Sequence, residues 1–577
     1  MLTMAIAQAY MRVVEGVTPH ILTIVIFLPM AGALFLLLVS GRSEKGKAVL
    51  RWGSFGFALV NFLISLLVAA RFDLSPRAPR FQFLVQADWI PSWGVSYEVG
   101  VDGLSLTLVL LTNLLSVLAI LSSFSAIRCR EKEYYILMLL LQAGILGTFL
   151  ALDLFLFYIF WELMLILLYF LIGIWGSEDR VYATMKFVVY TLTGSLLMLI
   201  GILAVYFHVQ QVNGGKGTFD YLVFVEANHA LSPGARMWLF LAFLIAFAIK
   251  VPIFPFHTWL PDAHTEAPTA GSVILAGILL KTGVYGILRY CIPLFPEAAR
   301  EAAPVLVWLA IVAIVYGALA AMAQKDMKRL VAYSSVSHMG FVILGIFAFQ
   351  EQAVRGALLQ VINHGISTGG LFLCVGILYE RRHTRTMSEF GGLAVNMRRY
   401  AALTVILALS SLALPGLNGF VGEFLVIVGV FQVRVLWAVL ASAGVILSAV
   451  YLLVMVQKTF FGPLDKPANR ALRDLGLREV LTLLPLVLIA FGIGFYPRPL
   501  LRLLERNSTD LMAQIQNVGR ERESLVVHHS LPLKGERLLC VSFTRLSIPP
   551  SAAPACQVPA LSVVAGVFPC SLEARHE

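Results

Sequence analysis

Four charged side chains sit inside apolar runs of this sequence: Glu162 in FYIFWELMLILLYF, Lys250 in AFAIKVPIF, Lys281 in AGILLKTGVYG and Glu423 in GFVGEFLVIVGV. A charged residue at the centre of a bilayer costs about 2.5–3.5 kcal/mol on insertion scales, and leucine would fill each place without that cost. Carboxylates and amines take up and release protons, so the chemistry on offer is proton transfer through an apolar interior. Burial and a neighbouring carboxylate act on a lysine in opposite senses. Moving Glu162 or its proton would therefore load or unload Lys250, with Lys281 as a second carrier and Glu423 as the group that passes the proton outward. The competing reading is a set of clamps, with a Glu162–Lys250 ion pair fixing helix to helix. An apolar pair performs that task as well or better, so four charges in separate runs favour transport.

Two histidines extend the set. His338 in SSVSHMGF and His364 in VINHGIST lie among Ser, Thr, Asn and Gly rather than leucine alone. Imidazole relays protons near neutral pH; it also serves as a packing residue or a haem ligand. Ser334, Ser335, Ser337, Tyr333, Ser367 and Thr368 are expected to hold water between them. In HTWLPDAHTEAPT, His257, Asp262, His264 and Glu266 look like metal ligands by type, but their spacing matches no ligand pattern. Pro261 and Pro268 there suggest a tight re-entrant turn that packs the end of a broken helix and supports the proton path. Lys186 either assists uptake or snorkels to the interface.

Such charges need apolar helices to hold them. Of 577 residues 59% are hydrophobic and 13% charged, with mean hydropathy +0.84, too little polar surface for a water-soluble globule. Runs of about 20 apolar residues, enough to cross a hydrocarbon core about 30 Å thick, recur from Ile21 to about Tyr496. They predict an all-α integral membrane protein of about fourteen transmembrane helices, near 21–40, 53–70, 103–123, 134–152, 154–175, 185–207, 237–256, 269–290, 303–323, 329–349, 355–379, 400–432, 435–457 and 479–496. Pro252 and Pro255 follow Lys250, and Pro415, Gly416 and Gly419 precede Glu423, so two of these helices are expected to break beside an ionisable residue. Freed carbonyls at such breaks survive only where protein or a water-filled cavity covers them, and paired breaks point to inverted repeats.

Basic residues collect after odd-numbered spans, as in Arg128, Arg130 and Lys132, or Arg381, Arg382 and Arg385. The positive-inside rule then places these loops in the cytoplasm and both chain ends outside. That topology accounts for the net charge of +10 without a nucleic-acid partner. The first apolar run reads as a retained span rather than a secretory signal. The six cysteines form no metal or disulfide framework and are expected to be free thiols. No G-x-G-x-x-G after a strand, Walker lysine, cysteine cluster or paired helical histidines appears, so no cofactor or metal is expected in this chain. The energy for pumping must then come from elsewhere.

The run AFAIKVPIFPFHTWLPDAHTEAPTAGSVILAGILLKTGVYGILR, followed by KRLVAYSSVSHMGF, NHGISTGGLFLCVG and LPGLNGFVGEF, resembles the antiporter-like subunits of respiratory complex I, the proton-translocating NADH:quinone oxidoreductase. The resemblance extends to about Asn507. It implies fourteen helices with two inverted five-helix repeats, over residues 134–290 and 303–457. Residues 1–133 would supply three leading helices and 458–507 a last loop and helix; 508–577 are expected to be a disordered tail. By the same resemblance Glu162 and Lys250 take the fifth- and seventh-helix positions of the family's charged pair, and Lys281 its eighth-helix lysine. His338 and His364 become proton relays of a central hydrophilic axis. Glu423 stands where related subunits commonly carry lysine, which singles out one branch of the family. Also implied are FMN, iron–sulfur clusters and quinone in partner subunits, related antiporter-like subunits on either side, and a place in the bacterial inner membrane with both termini periplasmic. Alternatives are a subunit of a multi-subunit cation/proton antiporter or of a membrane-bound hydrogenase; lysines at the core would repel a dehydrated cation, and a purely structural scaffold would not need them.

Overall fold

A computed structural model of the chain describes residues 20–228 and 231–529, with side chains to 517. Among the described residues thirteen helices are long and apolar enough to cross a membrane, and one further apolar helix, Asn418–Val433, is shorter. In chain order the helices used below are α1 (Ile21–Leu38), α2 (Glu44–Arg71), α3 (Gly103–Ala126), α4 (Glu131–Leu150), α5 (Leu154–Trp175) and α6 (Arg180–Val212). After them come α7 (Pro233–Lys250), α8 (Trp259–Glu266), α9 (Thr269–Leu294), α10 (Pro296–Met322), α11 (Met327–Phe347) and α12 (Glu351–Arg382). The set closes with α13 (Arg398–Ser411), α14 (Asn418–Val433), α15 (Val435–Phe460), α16 (Leu477–Phe495) and α17 (Arg498–His529).

Acidic and amide caps start the helices that matter. Asp153 accepts from the amides of Phe155 and Leu156 at the head of α5, Asp326 from Lys328 N and Arg329 N at α11, and Gln350 from Ala353 N at α12. Each satisfies backbone donors that the first turn leaves orphaned. The innermost helices are α3, α9, α11 and α12, and around them α2, α6 and α15 turn residues such as Leu63, Ile200 and Ile446 outward. Exposed apolar side chains of this kind suit a lipid or subunit surface.

Several boundaries differ from expectation for identifiable reasons. The span expected over 237–256 stops at Lys250, because Pro252 lacks the donor needed to continue it; Ile253 N bonds back to Ala248 O instead. Over 400–432, where Pro415, Gly416 and Gly419 led to the expectation of a break, two helices, α13 and α14, are separated by a link in which Ala413 has φ 63° and Gly416 φ 89°. Left-handed backbone at a non-glycine residue is strained, and surrounding packing must hold it. The second span, expected from 53, begins at Glu44, where Ser43 Oγ accepts from Gly46 N.

Residues 82–101, silent in the helix pattern, make an antiparallel hairpin of β1 (Gln82–Ile90) and β2 (Val95–Val101), with Gly94 turning at φ 65°. The expected tail from 508 is likewise revised: α17 runs on to His529 because Leu504, Leu511, Met512 and Ile515 share a buried face. Asn507 also donates to Asp102 and accepts from Leu104 N. Residues 530–577, and with them three of the cysteines, lie outside the described residues. Cys129, Cys291 and Cys374 are free thiols.

Candidate functional site

Lys250 is the last residue of α7, and a cation at a helix C-terminus meets the negative end of the backbone dipole. Its ammonium is buried with no hydrogen-bond partner, over the rings of Trp161 at 5.2 Å and Phe187 at 5.4 Å. Desolvated cations gain about 2 kcal/mol from such aromatic faces. Trp259 Nε1 donates to Ile249 O across the break and fixes the end of α7. Gly283 is needed here: a Cβ on it would stand 2.8 Å from Phe247 O and 2.9 Å from Lys250 Cβ. Without that close approach α7 would not lie against the helix that carries Lys281.

The Glu162–Lys250 ion pair of the competing clamp reading is absent among the described residues. Lys250 feels Glu162 electrostatically, yet Glu162 Oε1 is buried without a hydrogen-bond partner, and the neighbour interacting with Glu162 on its own helix is Tyr158. No hydrogen bond or ion pair joins the carboxylate to the ammonium, so this half of the site is not a clamp.

Lys281 sits at the centre of α9, fully buried, just after a π turn at Leu275–Leu279. Such a turn leaves carbonyls off the regular ladder, and Lys281 Nζ donates to one of them, Ala276 O, at 2.5 Å. The same nitrogen lies 2.5 Å from His364 Nδ1 of α12. The rings of His364 and His338, the latter on α11, have centroids 5.9 Å apart. His338 Nδ1 reaches Glu423 Oε1 of α14 at 2.7 Å, and Gln360 Nε2 donates to the same oxygen at 2.9 Å. Gly422 admits Gln360, since a Cβ there would stand 2.4 Å from its Oε1. Lys281, His364, His338 and Glu423 thus form one buried polar line across four helices.

The helix break beside Glu423 is wired into that line. Asn363 Nδ2 donates to Asn418 O at 2.7 Å, Asn418 Nδ2 to Asn363 O at 3.2 Å, and Ser410 Oγ bonds Asn418 Oδ1. Ser411 Oγ lies 3.3 Å from His338 Nε2. Gln360, Asn363 and Ser411 were not singled out from sequence, although Gln360 stands one helical turn before His364 and Ser411 just ahead of the proline link. Of the hydroxyls expected to hold water, Ser334 and Ser335 donate to Val331 O, Ser337 to Ile314 O and Ser367 to Asn363 O, whereas Thr368 Oγ1 is buried without a hydrogen-bond partner.

The four residues of HTWLPDAHTEAPT diverge. Asp262 pairs with Lys186 at 2.7 Å and Arg329 at 3.3 Å, Glu266 accepts from Asp179 N at 3.1 Å, and His257 lies between Phe254 and Tyr316. His264 stacks on Phe372 with centroids 5.2 Å apart. Among the described residues no three His, Cys, Asp or Glu side chains converge as metal ligands. The Lys186–Asp262 pair instead anchors α6 to α8.

Residues 151–449 match the family described as NADH:quinone oxidoreductase/Mrp antiporter, TM. The chain belongs to that family. It is 44% identical over 490 residues to NADH-quinone oxidoreductase subunit M of Rhodobacter capsulatus, covering 83% of this chain and 93% of the relative. The subunit M of Escherichia coli (strain K12) is 43% identical over 470 residues, covering 79% of this chain and 91% of the relative. Among solved structures, a chain of respiratory complex I from Thermus thermophilus with bound NADH aligns at TM-score 0.76 and 35% identity, covering 86% of this chain and 99% of that one. A chain of the Mrp complex from Dietzia sp. DQ12-45-1b aligns at TM-score 0.74 and 22% identity, with 86% of this chain and 97% of that one covered, a likeness of fold. Within the family these curated relatives place the chain with subunit M.

Proposed function

We propose that this chain is the proton-translocating membrane subunit of an NADH:quinone oxidoreductase, and that protons pass along Glu162, Lys250, Lys281, His364, His338 and Glu423. The observation that supports this most is the buried line from Lys281, bonded to His364, to Glu423, bonded to His338, with the two imidazole rings neighbours at 5.9 Å and His364 Nε2 left without a hydrogen-bond partner between them. Charge on Glu162 controls the proton on Lys250. A proton released there loads Lys281, and the imidazoles carry it to Glu423. Pushing a proton against 100 mV takes about 2.3 kcal/mol, and the chain's own residues offer no redox couple to supply it. Partner subunits holding FMN, iron–sulfur clusters and quinone do.

The links at 251–258 and 412–417 act as the two interruptions of a pair of inverted repeats, 134–290 and 303–457, within fourteen membrane helices. Related antiporter-like subunits flank the chain in the bacterial inner membrane. The arginine-rich ends of α3 and α12 face the cytoplasm, and both termini lie on the periplasmic side. Exchange of sodium is disfavoured because Lys250 and Lys281 occupy the centre where a dehydrated cation would need oxygens.

The test is Lys250→Met and Glu162→Gln in the assembled complex. Proton pumping and quinone reduction should fall about ten-fold or more at unchanged complex content, on the scale of losing a proton-transfer group. A complex that keeps both rates with either variant would make the chain a scaffold.

A further inference from the structure

His264 is the buried titratable group that the axis above leaves unused. Its side chain is 0% exposed, and neither ring nitrogen has a hydrogen-bond partner. A buried polar group normally finds a partner, and an orphaned one calls for an explanation such as a catalytic role or a bridging water. An imidazole with both nitrogens free is costly as packing, since phenylalanine would stack on Phe372 as well without two desolvated polar atoms.

Its position supplies the explanation. On the arginine-rich face a polar cavity of about 630 Å³ opens between the ends of α3, α5, α12 and α16, with Lys328 and Arg385 on its wall and Ala267, Val375 and Gly376 also lining it. Lys328 is itself buried and donates to Ala267 O, at the link between α8 and α9. Along α12 the depth can be counted at about 1.5 Å per residue. Gly376, lining the cavity, is one turn from Phe372, on which His264 stacks, and Phe372 is two turns from His364, which touches Lys281. His264 thus lies between the floor of the cavity and the start of the buried line. Both Lys328, on the cavity side, and Lys281, on the inner side, act on it electrostatically.

We propose that His264 is the uptake relay that carries protons from this cavity to Lys281, a step that rests on the proton-translocating reading above. A neutral His264 accepts a proton from cavity water on one ring nitrogen and releases the proton of the other, through water, to a neutral Lys281 amine. One proton enters and one leaves, the ring returns neutral as the other tautomer, and no electrons move. The titratable groups facing the ring are Lys328 from α11, Lys281 from α9 and His364 from α12.

The experiment compares His264→Phe, His264→Ala and Lys281→Met in the intact complex, with imidazole or pyrazole added to the alanine variant. Pyrazole has the same shape but is a far weaker base. The expected result is normal complex content with pumping and quinone reduction at least ten-fold down in all three variants, and recovery of the alanine variant by imidazole alone. Full pumping by His264→Phe, rescue by both azoles, or rescue by neither would overturn the relay. If Lys281→Met itself pumps normally, the translocation reading fails; if only the His264 variants do, the relay fails alone.

Discussion

The Glu162–Lys250 centre and the Lys281–Glu423 centre are built from the same kinds of side chain and differ in how they are wired. In the first, an ammonium without hydrogen bonds lies over the Trp161 and Phe187 rings, and Glu162 is not bonded to it. In the second, lysine, two imidazoles and a carboxylate follow one another, with Gln360 and Ser411 bonded to the line and Asn363 and Asn418 beside them. Groups joined by hydrogen bonds pass a proton with little rearrangement. Groups that are not joined pass one only when a side chain or water moves. On the proposed pathway the first centre is therefore the switch and the second the wire, and in a switch the cost of stranding charge is what makes two states distinct.

That contrast yields graded outcomes. Glu423→Ala removes the terminus of the wire and should lower pumping about ten-fold or more. Gln360→Ala, which deletes one of two hydrogen bonds to the same oxygen, should lower it only about two- to three-fold, because the His338 contact remains. Equal losses from both variants, measured as proton uptake per NADH in proteoliposomes, would mean that the second centre is not a chain of contacts.

An effect on local stability rather than on pumping is expected at the hairpin beside the head of α5. Burial first, then the charges of Asp220 and Asp153, push the Glu98 carboxyl on β2 up to about 7. Such an acid keeps its proton in the folded hairpin after an unfolded chain would have released it. Hairpin stability therefore falls as pH rises from about 4.5 through about 7. Amide exchange of β1–β2, corrected for the intrinsic rate, should quicken about three- to ten-fold across that window. Glu98→Gln should flatten it without changing the Glu162–Lys250 switch. A variant that keeps the slope would assign it to another group.

Much of this arrangement is legible in the residues. Bilayer-length apolar runs locate most helices, and charges inside them pick out Glu162, Lys250, Lys281 and Glu423, because lipid tolerates such groups only for a reason. The hairpin at 82–101 escapes a search tuned to 20-residue runs, although the alternation in Val95–Val101 is its signature. That Glu162 and Lys250 stand apart is not legible, since pairing depends on where Trp161 and Phe187 project in three dimensions. His264 could be seen only as one of four residues resembling metal ligands; its ring stacks on Phe372 of α12, whereas Asp262 meets Lys186, Glu266 meets Asp179 N and His257 meets Tyr316.

The claim that a proton crosses from switch to wire rests on Lys281, which is bonded to His364 and stands two residues before Gly283, where α9 closes on the end of α7. Lys281→Met in the assembled complex, reconstituted and supplied with NADH and quinone, tests it directly. The account predicts pumping and coupled quinone reduction lowered together at normal complex content, whereas undiminished proton uptake per NADH would contradict it.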